Sequence, residues 1–246
     1  MPSNTYTTIR SAFIIILILK LHLQSFGQNI DLFAEQPSIQ RTKRITTAIF
    51  KSTRIINGQS IENVGAGILD FRILHRFGNI TQYRSAYNLF GLDNASIRFG
   101  LDYGITSRLM AGIGRSTYQK QFDGFLKYRL IRQQTGKRNV PFSVSLYSSV
   151  VYKSLDEPAN GYTPYQTDRL TYSHQIILAS KMGDYFSMQL SPTIIHYNMV
   201  DSARYPNDFY SLGAGFRLRL SKRVNLTGEY YYRFNNCLLY TSDAAD

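Results

Sequence analysis

The chain has 246 residues, with 28 Lys and Arg against 16 Asp and Glu, and a mean hydropathy of −0.23. That mean hydropathy excludes a helical membrane protein but allows a β-barrel, whose strands are apolar on one face only. The single cysteine, Cys237, excludes an intrachain disulfide and a cysteine-based metal site.

Residues 1–27 have the features of a secretory signal peptide. Arg10 precedes an apolar run from Ala12 to Leu19, and Ser25-Phe26-Gly27 fits a small-x-small cleavage site before Gln28. The apolar run is shorter than the roughly 20 residues that a membrane-spanning helix needs. We therefore predict export and cleavage after Gly27, with an uncleaved N-terminal anchor as the alternative, and an N-terminal extension over residues 28–43.

Export argues against nucleic acid as the partner of this basic chain. Proteins that bind nucleic acids cluster their Lys and Arg residues on one face or stripe. Here these residues are scattered singly along the chain. We predict no nucleic-acid partner.

The segment Ala95–Ile105 has the clearest strand pattern. Its apolar residues occupy alternate positions, and Arg98 and Asp102 fall between them. A period of two places the apolar side chains on one face of a strand, whereas a helix would bury both charges among the leucines. The length also matches the roughly 9–11 residues of a tilted transmembrane strand.

The same alternation recurs along the mature chain and predicts a series of antiparallel strands. The segment Ile45–Arg54 is a poorer, tenth candidate strand. The nine clearer segments span residues 69–73, 95–105, 109–116, 126–130, 142–152, 169–178, 186–194, 211–219 and 224–233.

Two features favour a membrane barrel over a soluble β-sandwich or a lipocalin-like protein. The segments are longer than the 5–6 residues typical of strands in globular proteins. Tyrosines also fall near the strand ends on the apolar face, as in an aromatic girdle. Short turns alternate with longer loops, which predicts that the longer ones lie on the outer side of the membrane. These loops are Gly78–Asn94, Thr117–Phe122, Ser154–Asp168 and Asn198–Asp208.

We predict an all-β fold, an antiparallel up-and-down transmembrane β-barrel over residues 44–234 that is incomplete. The last strand, Val224–Phe234, would end on the outer side, which leaves an odd number of strands. A closed barrel needs its last strand to pair with its first. We therefore expect an open curved sheet of about nine or ten strands. Residues 235–246 break the periodicity and are predicted to be a non-native tail.

Several motifs resemble a family of uncharacterised bacterial outer-membrane β-barrel proteins. They include Phe50–Gly58, Leu69–Gly78, Arg98–Gly104 and Glu229–Arg233. The resemblance covers the mature chain up to Phe234. It implies a barrel in the outer membrane of a Gram-negative bacterium, in contact with its lipid. The family is a domain of unknown function, so the resemblance implies no activity and no catalytic residue.

The polar phase of the strands predicts a mostly basic lumen. Positive side chains inside a pore favour anions, so we expect passage or binding of small anionic solutes. The alternative is a structural or interaction barrel, because small barrels fill their interiors with polar side chains and conduct nothing. Asp102 or Glu229 is expected among the partners of Arg98, Arg217 and Arg219. The candidate lumen-facing residues are Asp70, Arg72, Arg98, Asp102, Lys127, Arg129, Arg169, Arg217, Arg219, Glu229 and Arg233.

The sequence predicts no enzyme, no cofactor and no metal site. A lipid-modifying enzyme remains the third interpretation, but it needs a nucleophile and a base within hydrogen-bond reach. His75, His174 and His196 all fall in the apolar phase of their strands. Ser173 and His174 are neighbours in sequence, and strand neighbours point to opposite faces.

Overall fold

A computed structural model describes residues 42–78, 87, 92, 95–136, 138–155, 165–200 and 206–234. The predicted signal peptide, most of the N-terminal extension and the predicted tail lie outside these residues. So do most of the predicted outer loops around residues 79–94, 156–164 and 201–205.

Nine long strands form one antiparallel sheet, as the alternating pattern predicts. Each strand pairs with the next along the chain, so the connections are those of an up-and-down barrel. The strands are β2 (Leu69–Arg76), β3 (Ser96–Gly104), β4 (Leu109–Ser116), β5 (Gln121–Ile131), β7 (Ser143–Lys153), β8 (Leu170–Met182), β9 (Phe186–Tyr197), β10 (Asp208–Arg219) and β11 (Asn225–Arg233).

The sheet is not closed among the described residues, because β2 and β11 are its two edges and do not pair with each other. An open sheet of nine strands confirms the predicted fold class, an incomplete antiparallel barrel. Within the described ranges there is no helix long and apolar enough to cross a membrane.

The prediction of a tenth strand at Ile45–Arg54 is wrong. Only β1 (Arg44–Ile45) is extended there, and it pairs with β6 (Gln134–Thr135) in a separate two-stranded sheet. The chain from Thr46 to Ile68 then runs without a strand of its own across one face of the large sheet. The apolar residues of Ile45–Arg54 are therefore explained by packing against that sheet and not by pairing within it.

The two faces of the large sheet differ in what covers them. The inner face, defined here as the face in contact with residues 46–68, carries buried polar side chains such as Arg98, Asp102 and Lys127. The outer face carries exposed apolar side chains at the alternate positions, such as Leu101 and Ile113. A polar buried face opposite an apolar exposed one is the arrangement of a barrel whose exterior meets lipid.

Candidate functional site

Residues 46–68, here called the inner segment, fill the inner face of the sheet. Two apolar clusters hold the segment in place. Ile49, Phe50 and Ile61 pack with Ile177 and Ala179 of β8. Farther along the segment, a second cluster joins Val64 to Met110 of β4 and Phe125 of β5. Because these side chains are almost fully shielded from solvent, burial of apolar surface contributes to holding the segment against the sheet.

Lys127 of β5 is the most deeply buried cation of the inner face, with 0% exposure. Its ammonium group donates hydrogen bonds to the Gln59 side-chain carbonyl at 3.1 Å, the Ser60 carbonyl at 3.1 Å and the Glu62 carbonyl at 2.6 Å. An ammonium group has three protons to donate, so the inner segment satisfies all of them. The inner segment therefore supplies the full solvation shell of this charge.

Arg129 and Gln189 also form hydrogen bonds with the inner segment. Arg129 donates to the Ile61 carbonyl at 3.0 Å and lies 3.5 Å from the Glu62 carboxylate. Gln189 of β9 donates to the Gln59 carbonyl at 2.7 Å and accepts from the Ile61 backbone N–H at 3.0 Å. Because buried backbone groups need partners, these contacts fix the position of an irregular segment.

Glu229 of β11 holds the first half of the inner segment. Its carboxylate accepts hydrogen bonds from three consecutive backbone N–H groups, those of Ile56 at 3.2 Å, Asn57 at 2.7 Å and Gly58 at 3.1 Å. Consecutive N–H groups that converge in this way form an anion-binding nest. Nearby, Arg217 of β10 donates to the Ala48 carbonyl at 3.2 Å.

The observed partners of these arginines differ from the expected ones. Arg98 pairs with Asp123 through two hydrogen bonds, one of them from Nε to Oδ1 at 2.7 Å, and not with Asp102 or Glu229. Arg217 and Glu229 bond to the backbone of the inner segment instead. Asp123 is not expected as a partner from the sequence, because the clear alternation covers only residues 126–130, whereas β5 already begins at Gln121.

Asp102 is buried to 1% exposure, and neither carboxylate oxygen has a hydrogen-bond partner among the described residues. Its negative charge is balanced by nearby cations, of which Arg54 belongs to the inner segment. The Arg54 guanidinium lies 5.9 Å from the Phe125 ring centre. Burial lowers the pKa of Arg54 and the neighbouring Arg98 lowers it further, while Asp102 raises it.

The eleven predicted lumen residues fall into four groups. Lys127, Arg129, Arg217 and Glu229 meet the inner segment. Arg98 and Asp102 are buried beside them. Asp70 and Arg72 pair with each other on the edge strand β2, and Arg72 also donates to the Ser52 hydroxyl of the inner segment at 3.5 Å. The remaining three lie at or next to the ends of strands. Arg169 donates to the Leu155 carbonyl, Arg219 donates to the Ser221 carbonyl, and Arg233 stacks 5.5 Å from the Phe209 ring.

The site has the chemistry of a packed interior. Its cations and carboxylates are bonded mainly to the protein's own backbone and side chains. Within the described ranges no three His, Cys, Asp or Glu side chains come together as a metal site requires.

Comparison with known proteins identifies a protein family. The family model described as "Membrane bound beta barrel domain (DUF5777)" matches residues 50–244. No curated protein and no solved structure matches the chain. The family match begins within the inner segment, so most of that segment lies inside the matched region.

Proposed function

This chain belongs to the family of membrane-bound β-barrel domains, and from that premise we propose that it is an outer-membrane barrel whose interior is filled by its own inner segment. The precursor is exported through the signal peptide at residues 1–27 and resides in the outer membrane of a Gram-negative bacterium. The barrel serves as a structural or interaction module and passes no solute while the segment is in place.

The observation that carries this proposal is the burial of Lys127 and the pairing of its ammonium group. A basic lumen attracts anions when its cations face water. Lys127 is instead fully buried, and its three donors are taken by oxygens of Gln59, Ser60 and Glu62. An incoming anion would have to displace these oxygens, and an unpaired buried acceptor costs about 1–3 kcal/mol.

Passage of small anions is the second candidate, and it requires that the inner segment leave. The inner face would then present Lys127, Arg129 and Arg217 without their present partners. Three cations on one wall favour anions over cations. The two candidates therefore differ in whether the resting protein conducts.

Conductance across a planar lipid bilayer tests this proposal. We expect the purified, refolded protein, expressed from the intact genomic reading frame so that any strands needed to close the sheet are present, to give no steady current. Deletion of residues 49–61 should open an anion-preferring pore, whereas deletion of the equally long stretch 28–40 should leave the protein silent. A steady anion current from the wild-type protein would contradict the proposal and favour passage. Heat modifiability on a denaturing gel reports whether each variant is folded.

A further inference from the structure

A polar pair interrupts the apolar outer face of the sheet. Ser148 of β7 and His174 of β8 are direct cross-strand partners, and the Ser148 hydroxyl lies 3.0 Å from His174 Nδ1. Both side chains are exposed on the outer face. Because polar side chains facing lipid are expensive, they mark functional positions more often than apolar ones do.

The pair lies in a groove of about 680 Å³. The groove follows a row of direct cross-strand partners from Leu126 through Ser148 and His174 to Ile194 and Tyr210. Its other walls are also mainly apolar and include Tyr128, Leu146 and Ile176. Such a groove fits a hydrocarbon chain.

Pro192 of β9 lines the same groove and lies at a gap in the backbone pairing between β8 and β9. In the ladder between β8 and β9, Gln175 pairs with Thr193 and Leu178 pairs with Leu190. The two residues between them on β8, Ile176 and Ile177, have no partner on β9. Proline has no N–H to donate, and it is rarely found inside a central strand. The groove therefore combines a side-chain pair with a local gap in backbone pairing.

Proton counting shows that the Ser148–His174 pair needs a third partner. A neutral pair has two polar protons, one on the hydroxyl and one on the ring. One proton forms the bond between the two residues, whichever tautomer the ring adopts, so one donor is left over. No further hydrogen bond of His174 is found among the described residues. Hydrocarbon offers no acceptor, and an unpaired donor there costs several kcal/mol.

We propose that this groove binds one glycerophospholipid, with an acyl chain along the apolar walls and an ester carbonyl accepting the remaining proton of the Ser148–His174 pair. The inference rests on membership of a membrane-bound family and is independent of whether the inner segment closes the barrel. Ester carbonyls are the acceptors that a phospholipid carries between its headgroup and its chains.

The depth of the pair agrees with this assignment. His196 and Asp208 form an outer-face pair at 2.7 Å, and Asp208 is the first residue of β10. His174 lies opposite Ile194, two residues from His196 along β9. Two residues of strand span about 7 Å. The Ser148–His174 pair thus lies one step inside a charged rim, as the ester groups lie inside the headgroups.

The pair binds and does not hydrolyse. Acyl transfer needs a base oriented by a third group and donors for the oxyanion. No carboxylate contacts His174 among the described residues, since its only hydrogen bond is to Ser148.

Native mass spectrometry of the refolded protein in detergent tests the proposal, with diacyl and dialkyl-ether phosphatidylethanolamine of equal chain length as probes. The wild-type protein should retain the diacyl lipid roughly 2- to 10-fold more than the ether lipid, the range of one hydrogen bond. The double variant Ser148→Ala/His174→Phe, which has neither donor, should lose this preference, whereas each single variant still has one free donor and should keep most of it. The control is Ser180→Ala on the same strand, whose hydroxyl donates to the Pro141 carbonyl; it should keep the preference.

Three outcomes would overturn the proposal. Equal retention of both lipids by the wild-type protein would remove the role of the ester carbonyl, and this result needs no variant to fold. An ester preference that survives in the double variant Ser148→Ala/His174→Phe would place the recognition elsewhere. Release of free fatty acid from the diacyl lipid would replace binding by hydrolysis.

Discussion

The ammonium group of Lys127 and the backbone carbonyl of Glu62 are joined by a hydrogen bond of 2.6 Å, although the two residues are 65 positions apart in sequence. This bond links the middle of a strand to an irregular segment that precedes the whole sheet. The contact makes the inner segment part of the barrel domain, because removal of the segment would take away all three hydrogen-bond partners of a buried charge.

Replacing Lys127 by methionine should destabilise the folded protein. Met has a similar length but no donors, so the carbonyls of Ser60 and Glu62 lose a buried partner. We expect a loss of roughly 1–3 kcal/mol in the free energy of unfolding. Urea titration in lipid vesicles measures it. Lys222→Met, at an exposed turn, is the matched control and should change stability by less than about 0.5 kcal/mol. Equal effects of the two substitutions would contradict the assigned role of Lys127.

Replacing Gly104 by alanine should loosen the inner segment. A β-carbon at Gly104 would overlap the backbone carbonyl of Gly65, which cannot move away as a flexible side chain does. Overpacking of this kind costs about 1–3 kcal/mol. We expect faster tryptic cleavage after Arg54, by about tenfold for each 1.4 kcal/mol. Gly124→Ala is the control, because its β-carbon would meet only the Gly112 carbonyl oxygen at 3.9 Å. Similar cleavage rates in both variants would argue against close packing at Gly104.

The strands were predictable from the sequence because each of them has one apolar face and one polar face. This alternation places Lys127, Arg129 and Arg217 on the correct face without any knowledge of their partners. Their partners were not predictable, since they are backbone carbonyls of a segment that has no periodicity of its own. A hydrogen bond to a carbonyl leaves no mark on the sequence of the acceptor residue.

The outer-face pair was missed for a related reason. The neighbour of His174 in sequence, Ser173, points to the opposite face of the sheet. Its actual partner, Ser148, is brought opposite by the register of β7 and β8. Alternation predicts the face of a residue but not the register of two strands joined by a long loop.

Replacing Glu229 by glutamine should release three backbone N–H groups of the inner segment. An amide has one acceptor oxygen where the carboxylate has two, and it has no negative charge for the nest. We expect the amide protons of Ile56, Asn57 and Gly58 to exchange with solvent roughly tenfold faster, as the loss of about 1.4 kcal/mol implies. Hydrogen exchange followed by mass spectrometry measures this change.

The amides of Ile49 and Phe50 provide an internal control for that experiment. They donate to the Glu62 carboxylate, which the substitution leaves intact. Their exchange should therefore stay unchanged. Faster exchange along the whole segment would mean that Glu229 acts on the fold as a whole and not on one turn.

The loss of stability caused by an arginine on the outer face should depend on its depth in the membrane. Leu101 lies in the middle of β3, and Ile105 follows the end of the same strand in the same phase. Leu101→Arg should cost about 2–4 kcal/mol and Ile105→Arg about 0–1 kcal/mol, as expected for the midplane and the interface. Urea titration in vesicles compares the two. Equal costs would contradict the assignment of this face to lipid.

The position of the inner segment is tested most directly by disulfide cross-linking, in a protein with Cys237→Ser. A β-carbon at Gly215 of β10 would lie 3.6 Å from Ile55 Cγ1 and 3.7 Å from Ile55 Cγ2, which are the positions that the sulfur of a cysteine at residue 55 can take. The pair Ile55→Cys and Gly215→Cys should therefore cross-link rapidly under mild oxidation. The control pair, Ile55→Cys and Ala214→Cys, should not, because Ala214 points to the outer face. Cross-linking of both pairs at the same rate, or of neither, would contradict an inner segment packed against the sheet.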